Sequence, residues 1–110
     1  MKKLIPLLMV VILALSACAG LKEECQARKE KAESVAAAAT QHLRNGMSLE
    51  EVQERLPPPD ETKINVDEPG KPTTWRYYVY PDCERHLGIS APTTILHFRY
   101  DRLEKWEITD

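Results

Sequence analysis

Three cysteines, Cys18, Cys25 and Cys83, carry most of the chemistry that this chain of 110 residues can offer. A thiol can be alkylated, joined to a second thiol, or deprotonated to hold a metal. Cys83 and His86 have a Cys-x-x-His spacing, and His42, His97 and Cys25 stand elsewhere in the chain. Zinc normally takes four ligands, usually with a second paired motif, and none is visible, so neither a metal nor a cofactor is expected. Ser34, Ser48 and Ser90 have local explanations in a helix, a cap and a turn. There is no Gly-x-Ser-x-Gly elbow, no His-Glu-x-x-His helix and no phosphate-binding glycine loop. No catalytic residue is assigned, and the expectation is a protein that is not an enzyme.

Cys18 stands at the end of a targeting pattern. Met1-Lys2-Lys3 is a short positive start, and Leu4 to Leu15 is an apolar run of the length found in signal peptides. A permanent span needs roughly twenty apolar residues, more than this run supplies. Leu15-Ser16-Ala17-Cys18 then sets an aliphatic residue and two small residues before a cysteine. That pattern resembles the bacterial lipobox, in which the thiol takes a diacylglycerol and the chain is cut just before it. Small side chains let a membrane peptidase hold the extended backbone, and only a thiol supplies the nucleophile. The reading is a leader over residues 1–17, lipid on Cys18, and the membrane as a partner through that lipid. Each buried methylene contributes about 0.8 kcal/mol, so two or three acyl chains hold where one would not. Ala19 rather than aspartate follows the cysteine, which favours the outer membrane over the inner. An ordinary secretory signal with Cys18 a spectator is the alternative.

Loss of the leader removes Lys2 and Lys3, leaving 13 basic against 17 acidic residues, a formal charge of about −4. A mildly acidic body lacks the basic face that phosphate binding requires, so nucleic acid is not expected as a partner. Cys25 and Cys83 remain as an even pair in an oxidising compartment, where a disulfide persists. Two free thiols and intermolecular pairing are the alternatives.

The elements that must position these residues follow from pattern. Leu21 to Arg44 has no proline or internal glycine and ends at Asn45-Gly46, which predicts one helix. Its stripe of Leu21, Cys25, Ala32, Val35, Ala36, Ala39 and Leu43 is thin, and its N-terminal half is polar almost all round, as in a stalk. Ser48 and Glu51 form a capping box, flanked by Met47 and Val52 as a hydrophobic staple. The second helix is expected over Leu49 to Leu56, stopped by Pro57-Pro58-Pro59. Thr74 to Tyr80 and Thr93 to Tyr100 alternate as strands, Leu103 to Ile108 follows as a third after a short turn near Asp101-Arg102, and Ile64 to Val66 is a short edge strand at most. Pro81 and Pro92 bracket an expected loop around Cys83. The fold class is α+β, two helices on one face of a three-stranded antiparallel sheet. Trp75, Tyr77, Leu96, Phe98 and Leu103 are the expected core. Tyr78 and Tyr80, flanking Arg76, are the candidates for an interaction face.

From Asn45 onward the chain resembles the SmpA/OmlA (BamE-like) family of small outer-membrane lipoproteins. The residues that carry the resemblance are Gly46-Met47-Ser48 with Glu51-Val52 and Leu56, then Thr74-Trp75 and Tyr77-Tyr78-Val79, then Leu96, Phe98 and Leu103. The resemblance covers about two-thirds of the mature chain and divides it into residues 18–45, a lipidated start and charged helix, and 46–110, the family-like domain. It implies two helices packed on a three-stranded antiparallel sheet. It also implies a periplasm-facing module on the outer membrane that contacts envelope proteins in assembly or maintenance. A periplasmic inhibitor or ligand-binding module on the same scaffold is the alternative function.

Overall fold

The computed structural model describes residues 20–110 in full and the helical backbone from Leu4. The expected leader, residues 1–17, and Cys18 lie outside the fully described residues. Among the described residues are three helices and four strands, in the order α1 (Leu4–His42), α2 (Leu49–Arg55), β1 (Glu61–Ile64), β2 (Thr73–Tyr77), α3 (Pro81–Leu87), β3 (Thr93–Arg99) and β4 (Arg102–Thr109). The strands form one antiparallel meander, β1-β2-β3-β4. The class is α+β, as expected, with one strand and one helix more than the sequence suggested.

Both additions have physical causes. β1 spans Glu61–Ile64 rather than Ile64–Val66, and three of its four residues are exposed. Its own pattern is polar. Strand geometry there comes from pairing, with Glu61 opposite Arg76 and Ile64 opposite Thr73. α3 replaces the expected loop, and its ends follow helix rules. Pro81 occupies the first turn, where its missing N–H costs nothing. Asp82 and Glu84 favour the positive N-terminus, while Arg85 and His86 favour the negative end. Gly88 closes the helix in the left-handed region at φ 65°.

α1 and α2 cover the sheet face that carries Trp75, Tyr77, Leu96, Phe98 and Leu103, all buried. From α1 come Val35 and Ala39, followed by Leu43; α2 adds Val52, with Met47 and Leu56 flanking it. The small-residue stripe of α1 therefore packs within its own chain. Burial of each Val, Leu or Phe side chain contributes about 1.5–3 kcal/mol, so this face dominates the stability of the domain. The α2 cap forms as its sequence requires, the Ser48 hydroxyl accepting from the Glu51 amide at 3.2 Å. The α1–α2 turn also adds a short edge to β4. Gly46 N–H donates to Leu103 O at 2.7 Å and Leu103 N–H returns to Met47 O at 2.8 Å. The β3–β4 turn is the two-residue type whose central residues both need positive φ, and Tyr100 (53°) and Asp101 (56°) supply it.

Candidate functional site

The described residues most heavily equipped with polar and aromatic groups meet where α1 crosses the C-terminal end of β2. Arg28 shares one helical face with Cys25 and Ala32, so it points inward from an otherwise apolar stripe. Its guanidinium donates to the backbone oxygen of Tyr78 from Nη2 at 2.9 Å and from Nε at 3.2 Å. The same group lies 3.8 Å from the ring centre of Tyr80 and 5.1 Å from that of Tyr78. A cation over an aromatic face is attracted by the ring quadrupole, more strongly as water is excluded. The two rings meet edge to face at 6.1 Å.

Asp60 anchors this cluster from below. It follows the rigid Pro57-Pro58-Pro59 exit of α2, and its side chain is 8% exposed. Its carboxylate accepts from the Tyr78 amide at 3.0 Å and from Lys31 Nζ at 3.1 Å, and Arg28 Nη2 stands 3.4 Å away. A nearly buried carboxylate needs such partners, because an unpaired one is strongly penalised. Next to it, Tyr77 donates its hydroxyl to Pro57 O at 2.6 Å. Burial, and then the neighbouring Asp60 charge, push the Tyr77 phenol far above its ordinary range.

The expected interaction residues thus take defined places. Tyr78 and Tyr80 leave the end of β2 and receive Arg28, and Tyr80 keeps 41% exposure. Arg76 lies on the open sheet face, pairs with Glu61 at 3.3 Å and reaches the Tyr78 ring at 5.0 Å. That open face is charged rather than aromatic: His97 meets Glu107 at 3.2 Å and Arg99 meets Glu104 at 3.2 Å. Sequence reading did not single out Arg28, Lys31 or Asp60 as a group. One signal was present, an arginine set at i+3 and i−4 between buried stripe residues.

Beside this cluster the sulfurs of Cys25 and Cys83 stand 2.03 Å apart, at disulfide distance, with Cα atoms 5.8 Å apart. They form a small core of their own with Ile89 and Val79. α1 is therefore fastened at Cys25 and Arg28 to α3 and to the end of β2, and from Cys25 onward it is not a free stalk. Cys83 is committed to Cys25, and His86 faces Asp82 at 3.9 Å, so the Cys-x-x-His spacing does not converge. Among the described residues no group of three or more His, Cys, Asp or Glu is placed to hold a metal ion. A mostly apolar groove of about 370 Å³ runs over this junction, lined by Leu21, Cys25, Tyr80, Pro81, Cys83 and Leu87, with Asp82 and His86 as its polar members. Leu21 is 58% and Leu87 39% exposed. Among the described residues no helix is long and apolar enough to cross a membrane. Cys18 lies outside the residues whose side chains are described.

No family model, no curated protein and no solved structure matches this chain.

Proposed function

We propose that the protein is a lipid-anchored, periplasm-facing lipoprotein of the bacterial outer membrane, acting without catalysis as a protein-interaction module in outer-membrane assembly or maintenance. The observation that carries this reading is Leu15-Ser16-Ala17-Cys18 in register behind a charged start and an apolar run. Ala19 after the cysteine supports the outer membrane as its destination. Two features of the body agree with it. Cys25 and Cys83 stand at disulfide distance, a pairing that an oxidising compartment favours. The α+β layering of helices on one face of an antiparallel meander agrees in class with what the SmpA/OmlA resemblance implies, with one helix and one strand more.

The interaction role rests on the rim around Tyr80, where an aromatic ring held by Arg28 remains partly open to solvent. Tyrosine and arginine are enriched among the residues that anchor protein contacts, because they cover area at low entropic cost. A photo-crosslinking residue at Tyr80, in cells carrying the lipidated chain, is expected to capture a discrete envelope protein. Tyr100, exposed on the β3–β4 turn, is the control position. Equal and diffuse labelling from the two positions would count against the interaction module.

A further inference from the structure

We propose that the protein partner received at the Tyr80 rim presents a cationic side chain next to an aliphatic one, as a lysine or arginine beside a leucine or valine. This inference rests on the interaction reading above and gives that same partner its chemistry. Tyr80 is a wall shared by two adjoining depressions. On one side lies the mostly apolar groove, where Leu21, Pro81 and Leu87 stand with Asp82 and His86 as polar members. On the other lies a pocket of about 450 Å³ whose charged lining is Lys29, Glu33, Glu84 and Asp110. A single segment that covers Tyr80 therefore meets both an apolar surface and a set of carboxylates.

Charge selects the occupant. In the second pocket three carboxylates face one amine, and Lys29 is already opposite Glu33 at 4.0 Å. Glu84 and Asp110 make no ion pair among the described residues. The wider balance has the same sign. Residues 21–33 of α1, Asp60, α3 and Asp110 frame the rim, and together they hold five basic and eight acidic side chains. A formal −3 therefore lies on these segments, out of the −4 carried by residues 18–110. Arg28 and Lys31 are within that count, and both are drawn to Asp60. The exposed carboxylates steer and select the partner rather than hold it, as rim charges do at protein interfaces. Cover over Leu21, Pro81 and Leu87 supplies the holding. A purely apolar segment leaves Glu84 and Asp110 unanswered, and an acidic one is repelled.

The test uses the full lipidated chain in cells, with the photo-crosslinking residue at Tyr80. Three forms are compared: the parent, a rim variant with Glu84→Gln and Asp110→Asn, and a control with Glu54→Gln and Asp101→Asn. The control removes the same charge from α2 and from the β3–β4 turn, at the end of β3 opposite Thr93 and the rim. All four side chains are exposed, so the fold is retained, which thermal unfolding verifies. Discrete capture by the parent should fall about three- to tenfold in the rim variant and stay unchanged in the control. Peptide mapping of the captured protein should place the crosslink close to a lysine or arginine with an aliphatic neighbour. Replacing that cation by glutamate should abolish capture, and Glu84→Lys should restore it. Equal capture by all three forms, or a crosslink in a segment without a basic residue, would overturn this partner chemistry while a discrete partner still stood. Diffuse labelling by the parent itself would remove the interaction reading, and this inference with it.

Discussion

The guanidinium of Arg28 lies 3.8 Å over the ring of Tyr80 while donating twice to the backbone oxygen of Tyr78. One side chain of α1 thus holds the segment that leads from β2 into α3. Its partner in charge, Asp60, ties the exit of α2 to the same point. Three segments distant in sequence are fixed here by polar contacts rather than by the main apolar core.

Asp60→Ala leaves a nearly buried guanidinium and the Tyr78 amide short of a partner. Breaking a buried pair costs about 3–5 kcal/mol and an exposed one about 1 kcal/mol or less, so this partly buried site should lose about 2–3 kcal/mol. Arg28→Lys keeps the charge but loses the double bond to Tyr78 O and the flat contact with Tyr80. Urea unfolding of both single variants and the double variant checks this. The two losses should be clearly non-additive; simple addition would mean that the residues do not act together.

The Cys25–Cys83 pair is separated by 58 residues. Closure of a loop that long constrains the unfolded chain by about 4 kcal/mol in the entropy model. The paired Cys25→Ser and Cys83→Ser change should lower stability by that order, which is large for a domain of this size. The oxidised protein should also weigh about 2 Da less than its reduced form, as joining two thiols requires. Identical masses before and after reduction would show that the thiols are free.

Tyr77 gives a signature at alkaline pH. Its phenol is pushed upward by burial and by Asp60, so the folded chain keeps its proton after the unfolded chain has released it. The stabilisation is complete below about pH 10, the ordinary tyrosine value, and falls as pH rises above it. Tyr77→Phe should cost about 1 kcal/mol near neutrality through the lost bond to Pro57 O, and should narrow its deficit above pH 10. A constant difference between the two proteins from pH 8 to pH 11 would contradict this.

Gly70 sits at φ 78°, and a Cβ there would stand 2.7 Å from Arg99 Cγ and 2.8 Å from the Tyr100 ring. Its carbonyl also accepts from the Tyr100 amide at 2.9 Å. Gly70→Ala should therefore destabilise the β1–β2 loop by about 1–2 kcal/mol, since both backbone and space are unfavourable. Thermal unfolding measures it, with Gly20→Ala, which meets open space inside α1 and should not lower stability, as the comparison.

Much of this architecture is legible in local pattern, and the exceptions share a cause. α2 is marked by Ser48 and Glu51, and β2 and β3 by alternation of buried and half-buried positions, because those signals lie within a few residues, whereas β4 buries only Leu103. α3 was expected as loop because prolines bracket it, although Pro81, Asp82, Glu84 and Gly88 together spell a short capped helix. β1 carries no such local code. Glu61 and Lys63 become strand only through pairing with Arg76 and Thr74 across the sheet. The Arg28 cluster is further from view, since its partners Asp60 and Tyr78 lie 32 and 50 residues away in sequence. Cysteine parity pointed to the Cys25–Cys83 pair because only two thiols remain once Cys18 is given to lipid.

Mass analysis of the N-terminal peptide from envelope-extracted protein, after growth with labelled palmitate, addresses the anchor directly. The account predicts a chain beginning at Cys18, bearing diacylglycerol on its sulfur and recovered with the outer membrane. An N-terminus elsewhere, or an unlabelled Cys18 on protein released in the soluble fraction, would contradict it.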